Sequence, residues 1–207
     1  MFEELEHHIP EIIDWERYKQ TAVLIPILET QKGPEVLFEV RSHNLESQPG
    51  EICFPGGQLE EHELEVDAII RETTEELLIP SGDIDIICPM HKYTSPYQLL
   101  VHSYLGILNN YHGTYSKDEV AEVFSVPLDY FMTTEPVSYF HKIYMQPEKG
   151  FPYHLIPGGI KYPWRRGEYE VNFYQYGERV IWGITAKLMK AAVELLKKKD
   201  RSRADES

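Results

Sequence analysis

The sequence is poor in cysteine, in basic residues and in long apolar runs. Its two cysteines, Cys53 and Cys88, are too few for a disulfide framework and lack metal-ligand spacing, so we expect free thiols in a reducing compartment. No apolar run approaches the length of a membrane span, and the acidic start of the chain does not resemble a signal peptide. We therefore expect a soluble, cytoplasmic protein without a membrane partner.

The shortage of basic residues also bears on the partners of the protein. The chain has 20 Lys and Arg against 34 Asp and Glu, which gives a net charge of −14. Proteins that bind nucleic acid by neutralising phosphates need a broad basic surface, so a nucleic-acid partner is not expected. An acidic protein that acts on an anionic substrate needs bound metal or local positive charge.

The length of 207 residues suits one domain with a sizeable core. We expect an N-terminal helical extension over residues 1–20, with helices at Glu3–Glu11 and Ile12–Tyr18. The folded domain should cover residues 21–199, and a charged tail should cover residues 200–207.

Hydrophobic patterns predict an α/β protein. Apolar or alternating runs bounded by turn residues indicate strands. These are Thr21–Leu28, Glu35–Arg41, Ile84–Cys88, Gln98–Leu108, Ala121–Val126, Tyr139–Met145 and Glu170–Tyr176. Helices are predicted over Glu65–Leu78, ended by Pro80, and over the amphipathic stretch Ile184–Lys199. Together they favour a mixed sheet between helical layers.

The first of these helices carries a cluster of carboxylates. Glu72, Glu75 and Glu76 are spaced i, i+3 and i+4, so they lie on one helix face and repel one another. A solvated acidic face is one interpretation. Binding of Mg²⁺ or Mn²⁺ is the other, because hard cations combine carboxylate ligands with phosphate oxygens. Arg71 can pair with Glu75 or reach back to Glu63 and so orient the ligands.

The spacing of these residues is distinctive. The pattern G-x5-E-x7-R-E-x-x-E-E, which starts at Gly57, should arise by chance in roughly one such sequence in ten thousand. It resembles the Nudix box, G-x5-E-x7-R-E-U-x-E-E-x-G-U, where U is a bulky aliphatic residue. Thr73 and Leu78 depart from it, and a glycine at the latter position would allow a left-handed helix cap. The resemblance implies a Nudix-type α/β/α sandwich with a mixed, partly closed β-sheet.

The stretch before the box resembles the motif L-L-T-x-R-[SA]-x3-R-x3-G-x3-F-P-G-G of the coenzyme A pyrophosphatase branch. The matching positions are Arg41, Ser42, Gly50, Phe54, Pro55, Gly56 and Gly57. Glu46 replaces the second arginine of the motif. Adjacent glycines after a proline suit a turn where the backbone approaches a ligand closely, although an ordinary tight turn is the alternative. The segment Ile181–Ala186 is similar to the I-W-G-x-T-A segment of the same branch.

The resemblance implies a role for each matching residue. The implied metal ligands are Glu72, Glu75, Glu76 and the carbonyl of Gly57, with Arg71 as a supporting catalytic residue. The general base is either Glu72 or Glu119, since Glu119 lies in a run similar to the E-V-A-E-V-F segment of the branch. The implied substrate-binding residues are Arg41, Ser42, Gly56 and Arg165. The implied structural supports of the site are Glu63, Gly50, Phe54 and Pro55.

The function implied by the resemblance is metal-dependent hydrolysis of the diphosphate bond of coenzyme A or acyl-coenzyme A. The products would be 3′,5′-ADP and 4′-phosphopantetheine or its acyl form. ADP-ribose or another nucleoside diphosphate derivative is an alternative substrate, which Glu46 favours. A second alternative is a nucleotide-binding sensor without turnover. Many relatives are dimers, so a homodimer is an open alternative to a monomer.

Overall fold

The structure is a computed structural model that describes residues 13–205; the helix predicted at Glu3–Glu11 lies outside them. Its centre is a seven-stranded sheet in the order β3-β2-β1-β6-β5, with β4 paired to β1 and β7 paired to β2. The strands are β1 Lys19–Thr30, β2 Gly33–Arg41, β3 Ile52–Cys53, β4 Gly56–Gln58, β5 Ile84–Thr94, β6 Leu99–Leu108 and β7 Val120–Pro127. β1 and β6 are parallel, whereas the other pairs are antiparallel. The sheet is therefore mixed, as predicted.

Helices cover both faces of this sheet. They are α1 Glu65–Leu77, α2 Leu128–Thr133 and α3 Gly183–Asp205. On one face, α1 buries Ala68 and Ile69 against Leu37 of β2. On the other face, α2 and α3 pack against Phe38 of the same strand, because neighbouring side chains of a strand point to opposite faces. The predicted α/β/α sandwich is confirmed.

A second, antiparallel sheet of three strands packs beside α3. Its strands are β8 Val137–Tyr144, β9 Arg166–Tyr176 and β10 Arg179–Trp182, in the order β10-β9-β8. Tyr174 of β9 is buried in the same core cluster as Met189 of α3. The sequence predicted β8 and β9 as strands but gave no indication that they form a sheet of their own.

The C-terminal helix is longer than predicted. It continues to Asp205, so most of the expected tail over residues 200–207 is helical. No glycine or proline interrupts the chain after Gly183, and the lysines and leucines near its end favour helix. The charged residues after Lys199 therefore continue the helix and do not end it. Within residues 13–205, no helix combines the length and apolar character that crossing a bilayer requires.

The N-terminal boundary also differs from the prediction. In place of the helix expected at Ile12–Tyr18, the structure has a 3₁₀ turn at Trp15–Arg17. β1 then begins at Lys19, whose backbone N–H donates to the carbonyl of Gln98 at 2.8 Å. This long-range pairing beside β6 extends the strand towards the N-terminus, and sequence patterns do not report such pairing.

The end of α1 shows what replaces the missing glycine of the box. Leu78 adopts φ 51° and ψ 40°, which is the left-handed conformation of a helix cap. This conformation costs a non-glycine residue roughly 1–2 kcal/mol. The Thr114 hydroxyl donates to the Leu77 carbonyl at 2.7 Å and so holds the end of the helix. The turn after α1 is thus kept without a glycine.

Glu170 ties the second sheet to α3 and provides a test of this packing. Hydrogen bonds from Ser138 at 2.9 Å and Lys190 at 3.2 Å hold its pKa at about 2. Because the pKa is lowered on folding, the network stabilises the protein above pH 4.5 and is lost as the pH falls through about 2. We expect Glu170→Gln to lower the free energy of unfolding by about 1–2 kcal/mol at pH 7 and by progressively less towards pH 2.

Urea unfolding across this pH range checks the prediction. Glu168→Gln is the matched control, since Glu168 is exposed on the same strand and should change stability by less than about 0.5 kcal/mol. A loss that stays the same at every pH would contradict the assigned role of Glu170.

Candidate active site

Three carboxylates converge at the C-terminal half of α1. One carboxylate oxygen from each of Glu72, Glu76 and Glu119 lies within 4.8 Å of the other two. Glu76 is 4% exposed, so solvent screens these charges poorly. A set of oxygen donors with this much negative charge suits a hard divalent cation. The residues therefore fit the predicted Mg²⁺ or Mn²⁺.

The loop before β7 brings Glu119 to the helix. The backbone N–H of Ser116 donates to the carbonyl of Glu76 at 2.8 Å, and Thr114 occupies the Leu77 carbonyl. These bonds satisfy carbonyls that the end of a helix leaves without partners. They hold the loop against the end of α1. Glu119, the last residue before β7, is thereby brought close to the helix. Sequence reasoning offered Glu119 only through its motif, and the structure places its carboxylate beside those of Glu72 and Glu76.

Two glycines allow β4 to pass against α1. The Gly56 N–H donates to Glu76 Oε2 at 2.8 Å, and its φ of +142° is a conformation that favours glycine. A Cβ atom on Gly56 would lie 2.2 Å from the Ala22 carbonyl oxygen. A Cβ atom on Gly57 would lie 2.2 Å from Glu72 Oε1. Gly56 is therefore required by the close approach of β4 to the backbone of β1, and Gly57 by the close approach of β4 to the Glu72 carboxylate.

The close approach at Gly57 leads to a prediction. Gly57→Ala should push the Glu72 carboxylate away from its position, because the added methyl group overlaps it. We expect kcat to fall by about a hundredfold, the effect of misplacing a catalytic group by about 1 Å. The free energy of unfolding should change little, since the displaced group is the end of a side chain. Steady-state kinetics and urea unfolding of the variant measure the two effects.

Gly82→Ala is the matched control for this substitution. No atom of the described residues lies within 4 Å of a Cβ built on Gly82, and its φ is not in the left-handed region. Its kcat should match that of the wild type. Equal kcat values for Gly57→Ala and the wild type would show that the position of Glu72 is unimportant.

Arg71 fixes the orientation of Glu72. Its guanidinium donates to both carboxylate oxygens of Glu63 at 2.9 Å and to Glu72 Oε1 at 2.8 Å. This planar fork is specific to arginine. The hydrogen bonds lower the pKa of Glu63, whereas burial raises the pKa of Glu72 despite its contact with Arg71. The structure thus brings Arg71 and Glu63 into the arrangement that the sequence predicted.

Glu75 lies apart from the three converging carboxylates. Its side chain is 54% exposed, and its Oε2 lies 3.9 Å from Arg71 Nη1. With 3.6 residues per turn, the side chains of Glu75 and Glu76 point to opposite sides of the Glu72 side chain around the helix axis, and Glu76 is the closer of the two in direction. Its role as a metal ligand stays a prediction.

The segment before the box folds back beside Glu119. The backbone N–H of Ser42 donates to the Glu119 carbonyl at 2.7 Å, and the N–H of Gly50 donates to the Arg41 carbonyl at 3.0 Å. Arg41 Nε also donates to the carbonyl of Ser47 at 3.3 Å. The backbone of Ser42 therefore lies beside that of Glu119, and the contact of Arg41 and Ser42 with substrate stays a prediction.

The other predicted residues fall into two groups. Phe54 is buried and stacks on Phe38 with ring centroids 5.0 Å apart, and Pro55 is buried beside it in the chain. Arg165 is exposed in the connection between β8 and β9. Among the described residues, no ion pair or hydrogen bond joins Arg165 to the three carboxylates. Its assignment to the substrate stays a prediction.

Sequence reasoning missed Glu39, a buried carboxylate in β2. Burial raises its pKa to about 7, and the charges of Glu119 and Glu72 also raise it. Burial, followed by the charge of Glu39, raises the pKa of Glu76 well above its ordinary value. The sequence feature that could have revealed Glu39 is its position as the single acidic residue in the apolar run Val36–Val40. It lies on the same strand face as Leu37.

The fold and the site define the class of this protein. It is an α/β/α sandwich in which one helix and one loop present carboxylates for divalent cations. Comparison with known proteins identifies the family: the NUDIX domain model matches residues 18–145. The chain belongs to the Nudix hydrolase family, as the box predicted.

Three relatives illustrate this membership. The chain is 32% identical to peroxisomal coenzyme A diphosphatase NUDT7 of Mus musculus over 169 residues, which cover 81% of this chain and 66% of that protein, slightly less than two thirds. It is 29% identical to the Nudix hydrolase NudL of Photorhabdus laumondii, with 83% and 81% covered. A MutT/nudix family protein from Enterococcus faecalis has a solved structure with a TM-score of 0.54 at 15% identity, covering 94% of this chain and 67% of that chain. This structural similarity supports the fold alone.

Proposed function

We propose that this protein hydrolyses the diphosphate bond of coenzyme A or acyl-coenzyme A and uses Mg²⁺ or Mn²⁺ as cofactor. The products are 3′,5′-ADP and 4′-phosphopantetheine or its acyl form. The observation that carries the reaction is the convergence of Glu72, Glu76 and Glu119 within 4.8 Å. The substrate is supported by the motif from Arg41 to Gly57 and by the similarity to the mouse relative, which is named as a coenzyme A diphosphatase.

Each residue of the site has a separate role. Bound cations would neutralise the charge of the diphosphate and lower the pKa of the attacking water. Glu72 and Glu76 hold these cations, while Arg71 and the Gly56 N–H keep the two carboxylates in position. Glu119 accepts the proton of the water as it attacks phosphorus and the bridging P–O bond breaks.

Glu119 is favoured over Glu72 as the general base. The contact of Glu72 with Arg71 at 2.8 Å engages one of its oxygens. Within the described part of the chain, no ion pair engages the side chain of Glu119. Glu72 is the alternative base, and the pH dependence of kcat distinguishes the two.

A second candidate substrate is ADP-ribose or another nucleoside diphosphate derivative. Glu46 is exposed in the loop between Ser42 and Gly50, at the position where the branch motif has arginine. A carboxylate there repels an additional phosphate group, such as the 3′-phosphate of coenzyme A. A sensor that binds nucleotide without turnover is the third candidate, but it has little need for three converging carboxylates.

The substrate is tested by incubating the pure protein with Mg²⁺ or Mn²⁺ and one of several compounds. These are coenzyme A, acetyl-coenzyme A, ADP-ribose, NADH, dinucleoside polyphosphates and nucleoside triphosphates. Mass spectrometry identifies the products, and we expect the highest kcat/KM for a coenzyme A species. Faster hydrolysis of ADP-ribose would establish the second candidate, and binding without products would establish the sensor.

A further inference from the structure

The side chain of Glu39 lies between the sheet and α1. Side chains two residues apart on a strand share a face, and Leu37 belongs to the core cluster beneath α1. Directly across the sheet, Glu39 pairs with Cys53 and with Val123. Val123 packs against the same cluster. Glu39 therefore faces the helix that carries Glu76.

The bonding of Glu39 is incomplete. The residue is 1% exposed, and its Oε1 accepts a hydrogen bond from Cys53 Sγ at 3.3 Å. Within residues 13–205, its Oε2 has no hydrogen-bond partner. Buried carboxylate oxygens are normally paired, because an uncompensated buried charge is strongly unfavourable. Among the described residues, no lysine or arginine forms an ion pair with Glu39.

The carboxylates whose charges act on Glu39 belong to the cation site. Of all charged groups, Glu39 has the largest influence on Glu76, and Glu119 and Glu72 act on Glu39 in turn. The cation site thus has one further carboxylate on its inner side. One oxygen of this carboxylate accepts no hydrogen bond from the described residues. Glu39 stands where the branch motif has threonine.

We propose that Glu39 is a positioning residue of the cation site. Its carboxylate, beneath α1 and beside Glu76, adds negative charge on the inner side of the site and strengthens the binding of divalent cations. It acts through Glu76 and does not contact the substrate. The inference rests on the cation site of the proposed function and is independent of which diphosphate is cleaved.

The test is calorimetric titration of the metal-free full chain with Mn²⁺. Glu39→Gln keeps the shape of the side chain and removes its charge, so it should weaken Mn²⁺ binding by roughly tenfold to a hundredfold, as is usual for residues that support metal ligands. The melting temperature of the metal-free protein should not fall. The matched control is Glu35→Gln, on the same strand and face roughly 13 Å away, which should leave the dissociation constant unchanged.

The outcomes separate this inference from the proposed function. Glu76→Gln is titrated alongside, and unchanged Mn²⁺ binding by that variant would reject the cation site itself. Weakened binding by Glu76→Gln with wild-type binding by Glu39→Gln would reject only the role of Glu39. If Glu39→Gln does not fold, Glu39→Met is measured in its place. Failure of both to fold would also reject the inference, since Glu39 would then be required for folding.

Discussion

Replacing Glu76 with glutamine is expected to lower kcat for diphosphate hydrolysis by about a hundredfold to a thousandfold, the usual effect of removing one preorganised electrostatic group. The side-chain oxygen of glutamine can still accept the hydrogen bond from the Gly56 N–H, so the backbone should stay in place. The metal-free variant should be at least as stable as the wild type, because a buried negative charge has been removed. Kinetics at saturating substrate and thermal melting with and without Mn²⁺ measure both effects.

The control for this substitution is Glu194→Gln. Glu194 is exposed on α3, and the chemical change is the same. Its kcat and its Mn²⁺-induced rise in melting temperature should equal those of the wild type. Full activity of Glu76→Gln would show that Glu76 does not contribute to the cation site.

Replacing Glu119 with glutamine should lower kcat by about a hundredfold to ten-thousandfold, the range for loss of a general base. The reason is that glutamine cannot accept the proton of the attacking water at neutral pH. The variant should also lose the acidic limb of the pH profile of kcat, which reports protonation of the base in the enzyme–substrate complex. The measurement is kcat at saturating substrate and metal over a series of pH values.

Asp118→Asn is the matched control for Glu119→Gln. Asp118 is exposed and adjacent in the chain, and it lies outside the group of converging carboxylates. Its pH profile should be that of the wild type. If Glu119→Gln keeps the acidic limb and its loss of activity is small, Glu72 becomes the base.

Local features of the sequence were sufficient to predict α1 and the two carboxylates, Glu72 and Glu76, that it contributes to the candidate site. The helix starts at Glu65 as predicted and ends at Leu77, one residue early, because Leu78 adopts the left-handed conformation of a helix cap. Helical spacing then places Glu72 and Glu76 close together. The roles of Gly56 and Gly57 could only be suggested from the sequence, since the approach of β4 to α1 depends on strand pairing.

Long-range contacts determine what the sequence could not show. Glu39 lies beneath α1 only because β2 occupies the interior of the sheet, and no local pattern reveals which face of a strand a helix covers. The separate sheet formed by β8, β9 and β10 depends likewise on strand pairing. Glu75 is exposed because a different face of α1 points towards the loop that carries Glu119, and the sequence does not show which face this is.

The location of bound Mn²⁺ is the most direct test of this account. Anomalous diffraction from crystals grown with Mn²⁺ and a non-hydrolysable diphosphate should show a peak about 2.0–2.6 Å from carboxylate oxygens of Glu72 and Glu76, the range for hard cations with oxygen ligands, and beside the carboxylate of Glu119. A peak at the acidic segment Glu60–Glu63, with none among these three carboxylates, would contradict it.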